Sequence, residues 1–427
     1  MNTKQSSSAG QARVKRPERH QVEWRPLALD QCLPSDHQVR VVWRYVDSLD
    51  LSPLYSKIKA VEGVAGRDAV DPKILLALWM FATIEGISSA RQIARLCERD
   101  MAYLWICGDV GVNHHLVSDF RTAHGDVLDG LLTDTVATLL HQGLVTLETV
   151  GQDGMRVRAS AGSSSFRRRA TLQKCHQEAQ QQVERLRQER ESQSEQDQND
   201  KRRQAARERV ARDREARVAQ ALEELDKLQE KKKPSQKEAR ASTTDPEARK
   251  MKMADGGYRP AYNVQLANDG DAQVIVAVDV TNAGNDSGQM APLHENIQQR
   301  YGKTPEKYLV DLGFNSKHDI TTLEQRGSAV YAPIHSEEKM LERGKDPYSR
   351  QPGDSDQMVG YRQRMKTEEA KAVYRERPAI AEYPNAELRN RGLQQFRVRG
   401  LEKVRASTLL YALTFNFMRM CHLGCFA

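Results

Sequence analysis

Residues 150–159 read Val-Gly-Gln-Asp-Gly-Met-Arg-Val-Arg-Ala and place one acidic side chain, Asp153, inside a run of strand-forming residues. The surrounding pattern from Leu147 to Ala159 predicts a β-strand. Two more acidic residues stand at comparable places. Asp311 closes the apolar run in Tyr-Leu-Val-Asp-Leu-Gly-Phe, and Glu382 lies in a basic segment that ends Glu-Leu-Arg-Asn-Arg-Gly-Leu. These three acids are the candidate catalytic residues of the chain.

Three carboxylates from remote parts of a chain are able to converge on divalent cations. Hard oxygen donors suit Mg²⁺ or Mn²⁺. Two such ions about 4 Å apart activate an attacking hydroxyl and stabilise the leaving oxygen of a phosphodiester. We therefore predict that Asp153, Asp311 and Glu382 hold two metal ions, with Glu376 and Glu387 as rivals for the third position.

The chain is moderately basic. It has 427 residues, a formal net charge of +7 and a pI near 9.0, which fits an acidic polymer such as nucleic acid as a partner. Its N-terminus lacks the apolar segment of a secretory signal. The apolar run at 74–84 is too short to span a bilayer. We expect a cytoplasmic, nucleoid-associated protein without a membrane segment.

Composition divides the chain into four predicted parts. Residues 1–22 form a polar, basic arm that we expect to be disordered. Residues 23–143 form a helical N-terminal domain. Residues 144–166 and 253–427 form an α/β catalytic domain, and residues 167–252 form a charged helical insertion within it.

The N-terminal domain carries three helix-start signals. A helix begins at Pro72, a second is capped by Ser89, and a third begins after Asn113 or Ser118. Three short helices joined by glycine turns are typical of a helix-turn-helix unit, with Arg121 as a candidate DNA contact. An ordinary helical bundle that supports the core or a dimer contact explains the same pattern equally well.

The charged insertion also permits two interpretations. Apolar residues at helical spacing predict one long helix or a helical hairpin with a coiled-coil seam: Val218, Leu222, Leu225 and Leu228. The first interpretation is a solvated structural arm. The second is that its basic clusters bind phosphates. These clusters are Arg167–Arg169, Lys201–Arg203 and Lys231–Lys233.

Strand and helix signals alternate beyond the insertion. The predicted elements are strands at 262–267 and 273–280, a helix at 287–301, a strand at 307–311, a helix at 317–325 and a strand at 329–333. With the strand that carries Asp153, the order is β-β-β-α-β-α-β-α. Asp286 is expected to cap the helix that begins beside it.

Several longer motifs accompany the three acids. They are Asn-His-His at 113–115, Ser-Asp-Phe-Arg at 118–121, Ser-Thr-Thr-Asp-Pro-Glu-Ala-Arg at 242–249, Arg-Pro-Ala-Tyr-Asn-Val-Gln at 259–265 and Arg-Gly-Leu-Glu-Lys-Val at 399–404. With these motifs the chain resembles the DDE transposases of bacterial insertion sequences over about residues 24–420. The resemblance implies an RNase H-like mixed-sheet catalytic domain whose acids come from the first strand, the fourth strand and a late helix.

The resemblance also implies an activity. Such a transposase binds terminal inverted repeats in double-stranded DNA, frees 3′-OH ends and transfers them to target DNA, and a homodimer is expected in the active complex. Two other functions stay open. One is a DNA-binding protein whose acid site has decayed, against which the intact triad speaks. The other is a metal-dependent nuclease without strand transfer, which a joined product excludes.

The family carries a Tyr, Arg, Glu, Lys/Arg signature around its third acid. Tyr374, Arg377, Glu382 and Arg389 match its order. The resemblance implies that these basic and aromatic residues, with Arg391, contact DNA phosphate, a role that suits the arginine fork. The gap before Glu382 is one residue longer than usual and Pro384 follows it. We therefore predict that Glu382 stands at a helix entrance.

Overall fold

The protein is described by a computed structural model that covers residues 26, 28–61, 68–192, 198–230, 232 and 238–426. The arm predicted at 1–22 lies outside these residues. Seven α-helices form the N-terminal part: α1 (Gln38–Ser48), α2 (Ser52–Tyr55), α3 (Pro72–Ile84), α4 (Ala90–Leu96), α5 (Met101–Cys107), α6 (His114–Ala123) and α7 (Gly125–His141).

The strands and the remaining helices follow in sequence order. They are β1 (Thr149–Arg158), β2 (Phe166–Arg167), α8 (Arg169–Ser192), α9 (Gln198–Glu230), β3 (Ala241–Ser242), β4 (Arg249–Lys252), β5 (Tyr258–Asp269), β6 (Ile275–Thr281), α10 (Met290–Tyr301), β7 (Lys307–Leu309), α11 (Lys317–Gln325), β8 (Ala329–Tyr331), α12 (Glu337–Glu342), α13 (Asp356–Met365), α14 (Glu368–Tyr374), α15 (Tyr383–Asn390) and α16 (Leu401–His422). Short 3₁₀ turns occupy Leu29–Cys32, Ser163–Ser165 and Leu312–Phe314, and a π-helical turn spans Pro378–Glu382.

The predicted helix starts are confirmed by their caps. The Asp71 side chain accepts from the backbone N–H of Lys73 before α3, and Ser89 caps α4. Asn113 caps α6, so Ser118 is not the start of that helix. Helix α5 was not predicted. It is short, and its cap, Asp100, is the only start signal before it within a run of mixed composition.

One mixed sheet forms the centre of the α/β part. Its strands follow the order β4-β5-β1-β7-β8, and β6 pairs with β5 beyond the end of β4. β1 is antiparallel to β5 and parallel to β7, and β7 is parallel to β8. The predicted strands around 262–333 are confirmed, with β5 and β6 forming the expected hairpin. The chain is therefore a mixed α/β protein.

The segment predicted as a charged insertion is only partly helical. α8 and α9 pack against each other as a helical hairpin, with Val218 and Leu225 buried in its seam. Residues 241–252, predicted to be helical, instead contain β3 and β4. Met251 explains the difference, because it is buried where β4 pairs with β5, a contact that the polar local sequence does not reveal.

Helix α16 joins the N-terminal helices to the sheet. It packs against α3, α6 and α7 on one side and against β6 on the other. Buried side chains from all of these elements form one continuous hydrophobic core. None of the helices that the structure describes combines the length and the apolarity needed to cross a membrane.

One buried side chain on α16 completes the sheet edge. The Asn416 amide group donates to the backbone oxygen of Ile275 and accepts from its N–H, at 2.8 Å in each case. Asn416 is fully buried, so it supplies the partners that a neighbouring strand would otherwise supply.

We predict that Asn416→Leu lowers the free energy of unfolding by about 2–4 kcal/mol, because two buried backbone groups of Ile275 lose their partners. The measurement is chemical denaturation followed by circular dichroism. Thr414→Val is the matched control, since the Thr414 hydroxyl donates to Leu410 O in its own helix. Equal losses for the two variants would show that the bridge to β6 contributes nothing special.

Candidate active site

Asp153 and Asp311 are brought together by the parallel register of β1 and β7. The last registered pair is Gly151 with Leu309. Asp153 lies two residues beyond Gly151, and Asp311 lies two residues beyond Leu309. Beyond this pair β7 ends and β1 continues, so a gap opens in the sheet beside Asp153. The carboxyl ends of neighbouring parallel strands are a common place for a binding site.

Glu382 reaches the same gap because Gly151 lets the π-helical turn approach β1. A Cβ atom built on Gly151 would lie 2.8 Å from Ile380 Cγ2 and 3.2 Å from Ala381 Cβ. These two residues belong to the turn that ends at Glu382. Glu382 directly precedes α15, but its backbone is already helical and it ends the π-helical turn, so it lies at the junction of two helical segments and not at the start of a helix that begins or breaks at Pro384.

The three acids surround one guanidinium group. Arg377 donates to Asp153 Oδ1 at 3.2 Å and to Glu382 Oε1 at 2.8 Å, and its Nη2 atom lies 3.9 Å from Asp311 Oδ2. The Arg377 side chain is only 8% exposed. The Asp153 side chain is 18% exposed, while Asp311 and Glu382 reach solvent with 42% and 55% exposure.

Burial changes the acidity of Asp153. It raises the pKa of this carboxyl to about 6, although the Arg377 charge and a hydrogen bond from Asn385 oppose the shift. The Asn385 amide donates to Asp153 Oδ2 at 2.7 Å. Both Asp153 oxygens therefore have a donor, and ionised Asp153 needs a nearby positive charge.

The donor set fits a divalent cation in its chemistry. Three carboxylates that gather around one positive charge supply the oxygen ligands that Mg²⁺ and Mn²⁺ prefer. Within the described ranges, no three acidic, histidine or cysteine side chains are already grouped as a metal site. At the triad, the Arg377 guanidinium holds the position between the carboxylates.

The rival acids do not join this cluster. Glu387 pairs with Arg391 at 3.6 Å. Glu376 is exposed just before Arg377. Among these glutamates, the described contacts link only Glu382 to the guanidinium.

The predicted DNA contacts lie in different surroundings. Tyr374 is half-buried at the end of α14, and burial raises its pKa. Arg389 is exposed on α15. Arg391 donates to the backbone oxygen of Ile84 and so ties α15 to α3.

Arg121 is not brought to the triad. It is 5% exposed, its guanidinium lies 4.7 Å from the centre of the Trp79 ring, and it donates to Ser88 O. Burial lowers its pKa to about 10. Arg121 thus packs the N-terminal helices together, which does not fit the predicted contact with DNA.

Asp286 contacts the strand that carries Asp153, although the sequence indicated a helix cap. Helix α10 begins only at Met290, without a side-chain cap. The buried Asp286 carboxylate instead accepts from Asn263 at 2.7 Å, from Gln265 at 2.9 Å and from Arg156 at 3.0 Å. The sequence signal that pointed here is the glycine after Asp153, because a Cβ atom on Gly154 would lie 2.1 Å from Asp286 Oδ1.

Comparison with known families gives two matches. The Transposase domain family (DUF772) matches residues 27–123, and the Transposase DDE domain family matches residues 354–421. The first match covers most of the N-terminal helices, and the second covers Arg377, Glu382 and nearly all of α16. No curated protein and no solved structure matches the chain.

Both matches are to transposase domains, and they support a transposase role for this chain. The resemblance to DDE transposases of the insertion-sequence type is thereby confirmed. The matched segments leave out residues 124–353, where Asp153 and Asp311 lie.

We predict that Gly154→Ala destabilises the protein by about 1–3 kcal/mol, because the added methyl group collides with the buried Asp286 carboxylate. Thermal unfolding measures the effect. Gly130→Ala is the control: this glycine is exposed inside α7 and has nothing within 4 Å of an added Cβ. That change is expected to stabilise the helix by about 0.5–1 kcal/mol. A neutral Gly154→Ala would rule out the tight contact.

Proposed function

We propose that this protein is a DNA transposase that cleaves phosphodiester bonds at the ends of a mobile element and joins the freed 3′-OH ends to target DNA. The observation that carries the proposal is that Asp153, Asp311 and Glu382, from three remote segments, converge on the Arg377 guanidinium. Two matches to transposase families at the two ends of the chain support the same reading.

The strand topology supports an RNase H-like catalytic domain. Without the short β4, the sheet order is β6-β5-β1-β7-β8, which in order of appearance of these five strands is third, second, first, fourth, fifth. The first three strands are antiparallel and the last two are parallel to the first. Asp153 on the first strand, Asp311 after the fourth and Glu382 before a late helix correspond to the positions that the resemblance implies.

Each residue of the site has a role in this proposal. Asp153, Asp311 and Glu382 would hold two Mg²⁺ or Mn²⁺ ions, which activate the attacking hydroxyl and stabilise the leaving oxygen when bound. Asn385 orients the Asp153 carboxylate through its 2.7 Å hydrogen bond. Tyr374 and Arg389 remain candidates for contact with DNA near the scissile bond. The substrate is double-stranded DNA, and we propose a homodimer that pairs two ends.

Two alternatives remain distinguishable from the proposal. A decayed site would have lost one of the acids, whereas all three are present and all three contact the Arg377 guanidinium. A nuclease without strand transfer would produce cut DNA and no joined product. The boundaries proposed for the catalytic domain, 144–166 and 253–427, contain the three acids, Arg377 and Asn385.

We predict that Asp311→Asn lowers the rate of cleavage and joining about a thousandfold, because loss of a metal ligand removes several kcal/mol of charge stabilisation in the transition state. The assay uses labelled DNA carrying the ends that flank the source gene, with Mg²⁺ or Mn²⁺. Glu382→Gln should behave alike, while Glu376→Gln, an exposed acid outside the cluster, should keep wild-type rates. Wild-type cutting by Asp311→Asn would refute the assigned site.

A further inference from the structure

A basic groove lies beside the triad and is lined by residues of both β1 and α15. It encloses about 700 Å³ and begins at Gly154, the residue after Asp153. Its lining includes five cationic side chains from four elements, β1, β4, β5 and α15, together with one acid: Arg156, Arg158, Lys252, Arg259, Arg389 and Asp255. We refer to this surface as the basic groove.

Most of the positive charge in the basic groove is not neutralised. Asp255 pairs with Arg259 at 2.7 Å. In the part of the chain that the structure describes, Arg158, Lys252 and Arg389 form no ion pair, and all three are exposed. An unpaired cluster of this kind raises the local concentration of a polyanion and favours its binding.

Arg156 shows that the groove is held in a defined shape. Arg156 Nη2 donates to the buried Asp286 carboxylate at 3.0 Å and to the Gly284 backbone oxygen at 3.3 Å. Its Nε atom is buried without a hydrogen-bond partner. Asp286 is itself fixed by Asn263 and Gln265, so the arginine is positioned before any ligand arrives.

An aromatic side chain stands at the rim. Tyr258 pairs with Lys252 across the β4–β5 hairpin and is 67% exposed. A large aromatic ring exposed beside unpaired cations is the combination with which proteins bind nucleic acid, because the ring stacks on a base while the cations contact phosphates.

We propose that the basic groove binds the sugar-phosphate backbone of the DNA that leads to the triad. This inference rests on the proposed function, from which it takes the identity of the polyanion. Arg158, Lys252 and Arg389 contact phosphates, Asp286 positions Arg156 among them, and Tyr258 stacks on a base. Arginine forks suit the phosphate geometry, which distinguishes this role from a general surface charge.

The test measures DNA binding by fluorescence anisotropy in EDTA, where no cleavage occurs, so its outcome is independent of the catalytic proposal. The probes are a labelled duplex of random sequence and one with the flanking ends. A triple variant, Arg158→Gln with Lys252→Gln and Arg389→Gln, should reduce the slope of log affinity against log salt by about 3, since each lost phosphate contact removes about 0.9. Tyr258→Ala should weaken binding about tenfold with an unchanged slope.

The matched control neutralises three exposed cations that follow β8 at the opposite edge of the sheet, Lys339, Arg343 and Lys345. The slope of log affinity against log salt for this control variant should equal that of the wild type. An unchanged slope in the groove variant, or an equal decrease in the control, overturns the proposal. Displacement of the DNA by polyglutamate of matched charge with equal potency would overturn it as well, by assigning the groove to an acidic polypeptide.

A second inference comes from the guanidinium between the carboxylates. Arg377 contacts all three acids and its Nε atom is buried without a partner. A metal ion held by the same three acids needs the oxygen atoms that Arg377 now contacts. We infer that Arg377 is an internal counter-cation, which keeps the carboxylates together without metal and competes with metal for them.

The test is calorimetric titration of the full-length protein with Mn²⁺ in the absence of DNA. Arg377→Gln should bind Mn²⁺ about tenfold more tightly than the wild type, and Arg377→Lys should lie between them. Arg375→Gln, an exposed neighbour that pairs with Glu368 at 3.8 Å, should leave the affinity unchanged. Unfolding transitions report whether each variant is folded. If Arg377→Gln does not fold, Arg377→Lys, which keeps the positive charge, carries the test.

Asp153→Asn separates this inference from the proposed function. Loss of Mn²⁺ binding in Asp153→Asn identifies the measured ion as the one at the triad. Unchanged or weaker binding in both Arg377 variants, with Asp153→Asn still losing the ion, overturns the counter-cation inference and leaves the transposase proposal intact. An unchanged Mn²⁺ affinity in Asp153→Asn contradicts the metal site itself.

Discussion

The parallel register between β1 and β7 is the constraint on which the site depends. Because Gly151 is opposite Leu309, the residues two positions further on each strand, Asp153 and Asp311, arrive at the same level of the sheet. The end of β7 then leaves a gap beside β1 that backbone pairing does not fill. Three carboxylates in such a gap repel one another, so the fold must supply positive charge there.

The fold meets this demand from the C-terminal segment. Arg377 stands before the π-helical turn and reaches Asp153 and Glu382, while Asn385 beyond it binds the second Asp153 oxygen. The pKa of Asp153 is nevertheless raised to about 6, which means that the partners do not fully offset the cost of burial. The arrangement therefore favours binding of a further positive charge. Such an excess of buried negative charge is unusual in a purely structural core and is typical of functional sites.

Local signals in the sequence predicted the parts of the fold that depend on local contacts. Caps at Asp71, Ser89 and Asn113 determine where helices begin, and their donors lie two or three residues away. Strand alternation predicted the β5–β6 hairpin for the same reason. The three acids could be singled out because Asp153 interrupts a strand pattern, while Asp311 follows a strand and Glu382 precedes a helix, and these features are readable without knowledge of the partners.

Long-range contacts explain what the sequence did not predict. Asp286 has the local appearance of a helix cap, but its carboxylate binds Arg156, 130 residues earlier. Arg391 has the appearance of a phosphate contact, but its partner Ile84 is 307 residues away. In both cases the local sequence shows no partner for a polar side chain that binds a distant element. Only the packing of the fold determines which element that is.

Alternation along β1 separates two kinds of chemistry. Successive side chains of a strand point to opposite faces, so Asp153 belongs to one face while Gly154, Arg156 and Arg158 belong to the other. A shift of one residue would exchange the acidic and basic faces. Pairing with β5 from Val150 to Arg158 prevents this shift, although two glycines lower the intrinsic strand preference. Neither glycine position has room for a side chain, because the π-helical turn and the Asp286 carboxylate occupy the space that a Cβ atom would need.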